Sequence, residues 1–366
     1  MSEPPLKDWI AKLKSSDVAK GLDEIHTLVR RDTQKAYSFY QQEGHAEAPT
    51  IPQKGVGRYA AHAKALFLSF LRKLSPARRI AYVASLAAFA WGFVRTDWTG
   101  AVVGFLILNV LLAIELAEKL LTRDELEIAR AIQFSLYPAT NPTLEHLDVA
   151  SYFEPAHHVG GDYYDYALEG NRRFTIILGD VSGKGIPAAL YAMKLQALFE
   201  VLGKRSIGPK EILIEMNDVI SERIEKNYFI TAVIGVLDLQ KKGLVLARAG
   251  HNHPLHYCAR TGTTEWLKPG GIGIGMQKGP GFGGLLEEVH VDLAPGDVLL
   301  FYTDGISEAM NSSDEPYGYD EMERVLVSSA HLTANEIKEA LLQSVDAFRR
   351  GTPFADDATL VVTKLK

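Results

Sequence analysis

Two kinds of hydrophobic spacing divide this chain. Up to residue 136, apolar positions recur every three to four residues or run on without a charge; from Asp148 onward they alternate in short bursts. The first pattern predicts helices and the second predicts strands. Residues 1–50 are polar, with a loose helical stripe through Trp9, Ile10, Leu13, Val18, Leu22, Ile25, Leu28 and Val29. The stretch 43–54 carries two prolines and few apolar residues, and reads as a linker. A basic amphipathic helix follows over 63–74.

Two uncharged runs come next, 80–94 and 101–114, around a turn at 95–100. A bilayer-crossing helix needs about 17–25 apolar residues, so both runs are short, although Trp98, Thr99 and Gly100 lengthen the second. Tyr82, Trp91 and Trp98 suit membrane interfaces. Arg72, Lys73, Arg78 and Arg79 flank the pair on one side, and Lys119 and Arg123 on the other. The reading is a membrane hairpin over 80–114 in a bacterial inner membrane, with both ends in the cytoplasm. A buried soluble hairpin is the alternative.

Residues 112–136 continue as one helical pattern in which Ala117, Leu121, Ile128 and Ile132 share a face, opposite Glu115, Glu118, Lys119, Arg123, Asp124 and Glu125. The length suits a homodimeric coiled coil over 113–137, or a single helix packed on its own domain. Tyr137-Pro138 ends it. Strands are expected at 147–153, 163–168, 173–178, 230–239, 244–248, 289–293, 298–302 and 358–362, and helices at 187–202, 210–226, 319–329 and 334–349. Few connections resemble βαβ units, so the strands should form antiparallel sheets with helices outside. The glycine-rich stretch 262–284 reads as a flexible loop or flap.

Composition narrows the chemistry. Net charge is −6, which gives nucleic acid nothing to pair with. Cys258 is the only cysteine, which excludes an internal disulfide and a cysteine-based zinc site and fits a reducing compartment. No secretory signal is expected in the first ten residues. The acidic residues are more informative. Asp162, Asp180, Asp304 and Asp356 each abut an apolar strand, most beside glycine or a second aspartate. One such aspartate is usually a turn residue. Four brought together would repel one another unless divalent cations neutralised them, and carboxylate oxygens suit Mg²⁺ or Mn²⁺. Gly179–Gly185 lacks the spacing of a nucleotide-binding phosphate loop. His251, His253 and His256 have no zinc-like spacing and read as structural or supporting residues.

Val-Gly-Gly-Asp-Tyr-Tyr-Asp at 159–165, Gly-Asp-Val-Ser-Gly-Lys-Gly-Ile-Pro-Ala-Ala-Leu at 179–190, Ala-Gly-His-Asn-His-Pro-Leu at 249–255, Tyr-Thr-Asp-Gly-Ile-Ser-Glu-Ala at 302–309 and Asp-Asp-Ala-Thr-Leu at 356–360 occur in order. The series resembles the SpoIIE/RsbU-type phosphatases, bacterial members of the PPM (protein phosphatase 2C-like) class. Residues 128–138 also resemble that family's entry helix, so the likeness covers about 128–366.

The resemblance implies an α+β fold, an αββα sandwich of two antiparallel sheets, here preceded by the hairpin and linker helix. The domain reading is 1–58, 59–117, 118–138 and 139–366. It implies two Mn²⁺ or Mg²⁺ ions, with Asp180 and the Val181 carbonyl at the centre. Asp304 and Asp356 (or Asp357) would complete the coordination of the second metal, and Asp162 would hold metal-bound water. The implied reaction is direct attack of a metal-bridging hydroxide on phosphoserine or phosphothreonine. The usual substrate is a STAS-domain anti-anti-sigma factor in partner switching. Ser182 stands where eukaryotic relatives carry a histidine proposed as leaving-group acid, and no phosphate-binding arginine is assignable. Two other readings compete: a docking module without turnover, and a diguanylate cyclase suggested by Gly160-Gly161-Asp162. Tyr163 breaks the cyclase signature.

Overall fold

The computed structural model describes residues 71, 74–95, 98–170 and 172–366. The stripe and linker expected within 1–58, and nearly all of the basic helix at 63–74, lie outside the described residues. The chain divides into two compact units, Met1–Leu120 and Leu121–Lys366.

In the first unit, helix Pro76–Arg95 and the start of helix Trp98–Ser135 form a tight hairpin. Gly104 makes the approach possible: a Cβ there would lie 2.6 Å from the Ser85 carbonyl and 2.7 Å from the Phe89 nitrogen. Arg78 Nη1 meets Glu115 Oε2 at 3.2 Å across the pair. Phe93, Trp98, Phe105 and Leu112 are all more than half exposed. Among the described residues one segment, Trp98–Ala117, is long and apolar enough to cross a membrane. Pro76–Arg95 falls short.

The second unit contains ten strands in two antiparallel sheets. In chain order the strands are β1 (Leu147–Glu154), β2 (Tyr163–Glu169), β3 (Arg173–Val181), β4 (Ile230–Asp238), β5 (Gly243–Ala249), β6 (Leu255–Cys258), β7 (Thr263–Trp266), β8 (Glu288–Asp292), β9 (Val298–Tyr302) and β10 (Ala358–Leu365). One sheet runs β1-β10-β9-β6-β7 and the other β2-β3-β4-β5-β8.

Alternation along the strands explains why four layers form. Successive side chains leave a strand on opposite faces. In β3, Phe174, Ile176 and Leu178 enter a core between the sheets with Leu299 and Phe301 of β9 and Val361 of β10. Ile177 and Val181 of β3 face the other way, onto helices Ile186–Leu202 and Pro209–Ser221 through Leu195, Phe199, Ile212 and Met216. On the far side, Leu300 and Tyr302 of β9 pack on helices Tyr319–Ser329 and Ala334–Arg349 through Met322, Leu326, Ile337 and Leu341. Both faces of β9 are covered, and all five of its residues are buried. The expected sandwich of two antiparallel sheets flanked by helices is therefore present.

Three details depart from the sequence reading. The stretch 262–284 is ordered: β7 pairs with β6, Ile274 bridges Ile230, and Phe282 is fully buried in the short helix Gly281–Leu285. β3 runs three residues further than expected and takes Gly179, Asp180 and Val181 into the ladder with β4. Asp304 starts a helical turn, Asp304–Ser307, directly after β9.

Candidate metal centre

The expected carboxylates come from both sheets. Asp162 lies immediately before β2 and Asp180 near the end of β3, while Asp304 follows β9 and Asp356 precedes β10. Antiparallel pairing of β2 with β3, and of β9 with β10, puts these ends on one edge of the sandwich. Each carboxylate is placed differently.

Asp162 is buried, and its Oδ2 accepts hydrogen bonds from the hydroxyls of Thr303, at 2.7 Å, and Thr359. Both threonines are fully buried. Burial first, then the charges of Asp180 and Asp357, raise the Asp162 pKa well above the ordinary range, while the two hydroxyls pull it down. Asp180 is pushed up to about 7 by burial and then by Asp304, Asp356 and Asp357; Lys184 opposes the shift. Asp304 is raised by burial, Asp356 and Glu308. Such mutual effects require the carboxylates to be near neighbours.

Asp356 is half exposed and pairs with Lys184 Nζ at 2.8 Å; the same ammonium donates to the Ala355 carbonyl at 2.7 Å. Its neighbour Asp357 is occupied otherwise. Asp357 Oδ1 accepts from the Ala156 amide at 2.8 Å and Oδ2 from the Gly161 amide at 2.6 Å. Asp356 Oδ1 also accepts from the Asp357 amide at 2.9 Å, so both carboxylates of the pair have partners, and Asp357 anchors the loop before β2.

That loop is built for close approach. A Cβ at Gly161 would lie 2.9 Å from the Val181 carbonyl oxygen, and one at Gly160 would lie 2.6 Å from Asp357 Oδ2. The Val181 amide donates to the Gly161 carbonyl at 3.3 Å, so the Val181 carbonyl is held beside the cluster. From the other side, Gln133 of the long helix is buried. Its Nε2 donates to the Gly160 carbonyl at 2.7 Å, and its Oε1 accepts from the Gly160 amide at 3.1 Å. The Tyr137 hydroxyl donates to the Asp162 carbonyl and its ring stacks on Phe153 at 4.5 Å.

The donor set is oxygen throughout: four carboxylates and a backbone carbonyl. That is what Mg²⁺ or Mn²⁺ prefers. Among the described residues no three acidic or histidine side chains are closed around one point. Like charges resist such closure until a cation neutralises them, and Lys184 already holds Asp356. The residues fit a divalent-cation centre by chemistry and by shared location.

His251 is a buried support: its Nδ1 lies 2.8 Å from the Thr231 hydroxyl, which neighbours the Asp180 carbonyl at 3.4 Å. Burial holds its pKa down to about 3, so it is neutral. His256 pairs with Asp297 at 3.2 Å. His157 and His158 are exposed. Sequence reasoning missed Gln133, Thr303, Thr359 and the pairing role of Lys184. Their signals lay inside quoted motifs (the entry helix, Tyr-Thr-Asp-Gly, Asp-Asp-Ala-Thr and Gly-Lys-Gly), but hydrogen bonds between distant segments leave no local pattern.

A cavity of about 840 Å³ opens at the opposite ends of β2 and β3 beside Glu169 and Arg173, and none of the candidate carboxylates lines it. A smaller one, about 400 Å³, is lined by Asp304.

The two packed sheets and their helices match the PP2C-type phosphatase fold. The SiaA PP2C domain of Pseudomonas aeruginosa superposes with a TM-score of 0.58 at 24% identity, covering 68% of this chain and 99% of that one. The PP2C domain of Bacillus subtilis SpoIIE gives 0.52 at 21%, covering 61% and 64%. Residues 170–366, more than half of the chain, match the family described as Stage II sporulation protein E (SpoIIE), and the chain belongs to that family. In sequence it is 27% identical to the phosphoserine phosphatase RsbU of Bacillus subtilis, over 67% of this chain and 71% of RsbU. It is 26% identical to the phosphoserine phosphatase RsbP of the same organism, over 68% of this chain and 59% of RsbP.

Proposed function

We propose that this protein is a divalent-metal-dependent serine/threonine phosphatase that dephosphorylates a STAS-domain regulator, an anti-anti-sigma factor in bacterial partner switching. The observation that carries the reading is the clustering of Asp162, Asp180, Asp304 and Asp356 from four strand ends, at least three of them close enough to perturb one another's ionisation. Kinship with RsbU and RsbP supports phosphoserine as the target.

Asp180, the Val181 carbonyl, Asp304 and Asp356 would hold two Mn²⁺ or Mg²⁺ ions. When bound, such a pair lowers the pKa of water and neutralises phosphate oxygens. The protein's own groups do the rest. Thr303 and Thr359 fix the Asp162 carboxylate, which would orient water at the centre. Asp357 and Gln133 clamp the loop that carries Asp162. Lys184, which pairs with Asp356, would have to release it for Asp356 to serve as a ligand.

The apolar, exposed hairpin supports membrane attachment through residues 80–114 of the inner membrane, with the phosphatase domain in the cytoplasm. Exposed Leu121, Ile128 and Ile132 support pairing of two chains along 113–137. The test is dephosphorylation of phospho-STAS proteins from the same genome, with and without Mn²⁺. Release of phosphate only with metal is expected, and none from any phosphoserine protein overturns the assignment.

A further inference from the structure

Arg248 on β5 is a half-buried cation with no anion beside it among the described residues. Its Nε donates to the Pro269 carbonyl at 3.1 Å and its Nη1 to the His251 carbonyl at 2.8 Å. These carbonyls fix the guanidinium plane and leave further N–H donors over. Burial alone lowers its pKa, with no carboxylate acting to raise it. A desolvated charge without a partner is costly to keep, and so marks a place where a partner arrives.

Arg248 lines the cavity of about 400 Å³ together with Lys268. Lys268 is exposed and has no ion pair among the described residues. His253, in the same wall, has a buried Nδ1 without a hydrogen-bond partner among the described residues. Trp266, Tyr302 and Tyr319 supply aromatic walls and meet edge to face, with centroids 5.6–6.3 Å apart. Aromatic walls exclude water and strengthen any ion pair formed against them. Of the four clustered carboxylates only Asp304 reaches this cavity, so it flanks the centre rather than coinciding with it. Glu308 also lines it and acts on Asp304, so the cavity carries carboxylates as well as the cations Arg248 and Lys268. The chain as a whole is acidic, so an acidic partner is repelled except where cations are concentrated.

We infer that this cavity is a recognition pocket for a carboxylate side chain of the phosphoprotein, close to its phosphorylated residue, with Arg248 and Lys268 as the binding cations. The inference rests on the phosphatase reading and assigns that enzyme a preference for acidic flanking sequence.

The test uses the full chain with Mn²⁺ and matched phosphoserine peptides carrying glutamate or alanine at each nearby position. At one position glutamate should raise kcat/KM by about tenfold, the scale of a hydrogen bond to a charged group. Lys268→Gln and Arg248→Gln should each bring that ratio toward one. Arg248 also anchors two loop carbonyls, so Lys268→Gln, with no ion pair to lose among the described residues, is the cleaner variant. No acidic preference at any position, or a preference both variants retain, overturns the pocket.

Loss of the parent reading is seen separately, as absence of Mn²⁺-dependent hydrolysis of p-nitrophenyl phosphate. In that case the pocket is read by titrating Asp180→Asn protein with unphosphorylated glutamate and alanine peptides. The signal is Trp266 fluorescence, with Trp266→Phe as the silent control. A change specific to the glutamate peptide and lost in Lys268→Gln supports the pocket. A response to inorganic phosphate alone, or to neither peptide, overturns it.

Discussion

Gln133 and Gly160 hydrogen-bond to each other in both directions, at 2.7 and 3.1 Å, across 27 residues of chain. A helix side chain thereby fixes the backbone of the loop that delivers Asp162. Gln133→Leu keeps the volume but leaves a buried amide and a buried carbonyl unpaired, at about 1–3 kcal/mol each. We expect a lower Tm by thermal melting. We also expect a higher Mn²⁺ concentration for half-maximal phosphatase activity. A variant with parental metal dependence would show that the clamp is structural only.

Asp180 sits at the centre of the carboxylate repulsion, and its neutralisation should separate stability from activity. Asp180→Asn is expected to reduce hydrolysis by at least ~100-fold, the scale of losing a group that organises transition-state charge. It should also stabilise the metal-free protein at neutral pH, because one raised carboxylate pKa disappears. Calorimetry without metal, beside phosphate release with it, checks both.

Acidity should change the value of the metal. The raised carboxyls bind protons in the folded state that the unfolded chain has already released between about pH 4 and pH 7. Their contribution to metal-free stability is full below about pH 4 and is lost as pH rises through the folded values, about 7 for Asp180. A cation relieves the charged form, so the Tm gain on adding Mn²⁺ should be larger at pH 7.5 than at pH 5.5. Equal gains would contradict the cluster.

Gly161 has no room for a methyl group: it would meet the Val181 carbonyl at 2.9 Å and the Ala188 Cβ at 3.2 Å. Gly161→Ala should move the loop and that carbonyl apart. The expected outcome is weaker Mn²⁺ binding by isothermal titration, with the secondary structure kept by circular dichroism.

Association along the linker helix is checked by sedimentation of the full chain in detergent. Ile128 and Ile132 are 60% and 50% exposed. Ile128→Glu with Ile132→Glu should shift a dimer toward monomer, and an unchanged distribution would remove the pairing.

Much of the fold was legible because burial on both faces leaves short apolar strands bounded by turn residues. Helix Ala334–Arg349 was readable to the residue; it begins at a capping box between Thr333 and Glu336 and shows a clear apolar stripe. β6 and β7 were missed because each has only four residues, of mixed polarity, and the pairing between them is what makes them strands. The glycines of 262–284 suggested mobility, yet Phe282 and Ile274 hold that stretch to the core. Asp162, Asp180, Asp304 and Asp356 were visible as repeated punctuation at strand ends. The two threonines bonded to Asp162, 141 and 197 residues away in sequence, were not, because only folding brings them there.

Asp180 lies in a strand of one sheet, whereas Asp304 follows and Asp356 precedes strands of the other. Neither half alone carries the whole proposed ion-binding set, so capture of a cation there would report that the two layers have docked in register. A chain whose sheets met one residue out of step would keep most of its greasy interior and forfeit its ions. On the proposed assignment, divalent metal would act as a proofreader of assembly, rewarding only the correctly seated sandwich.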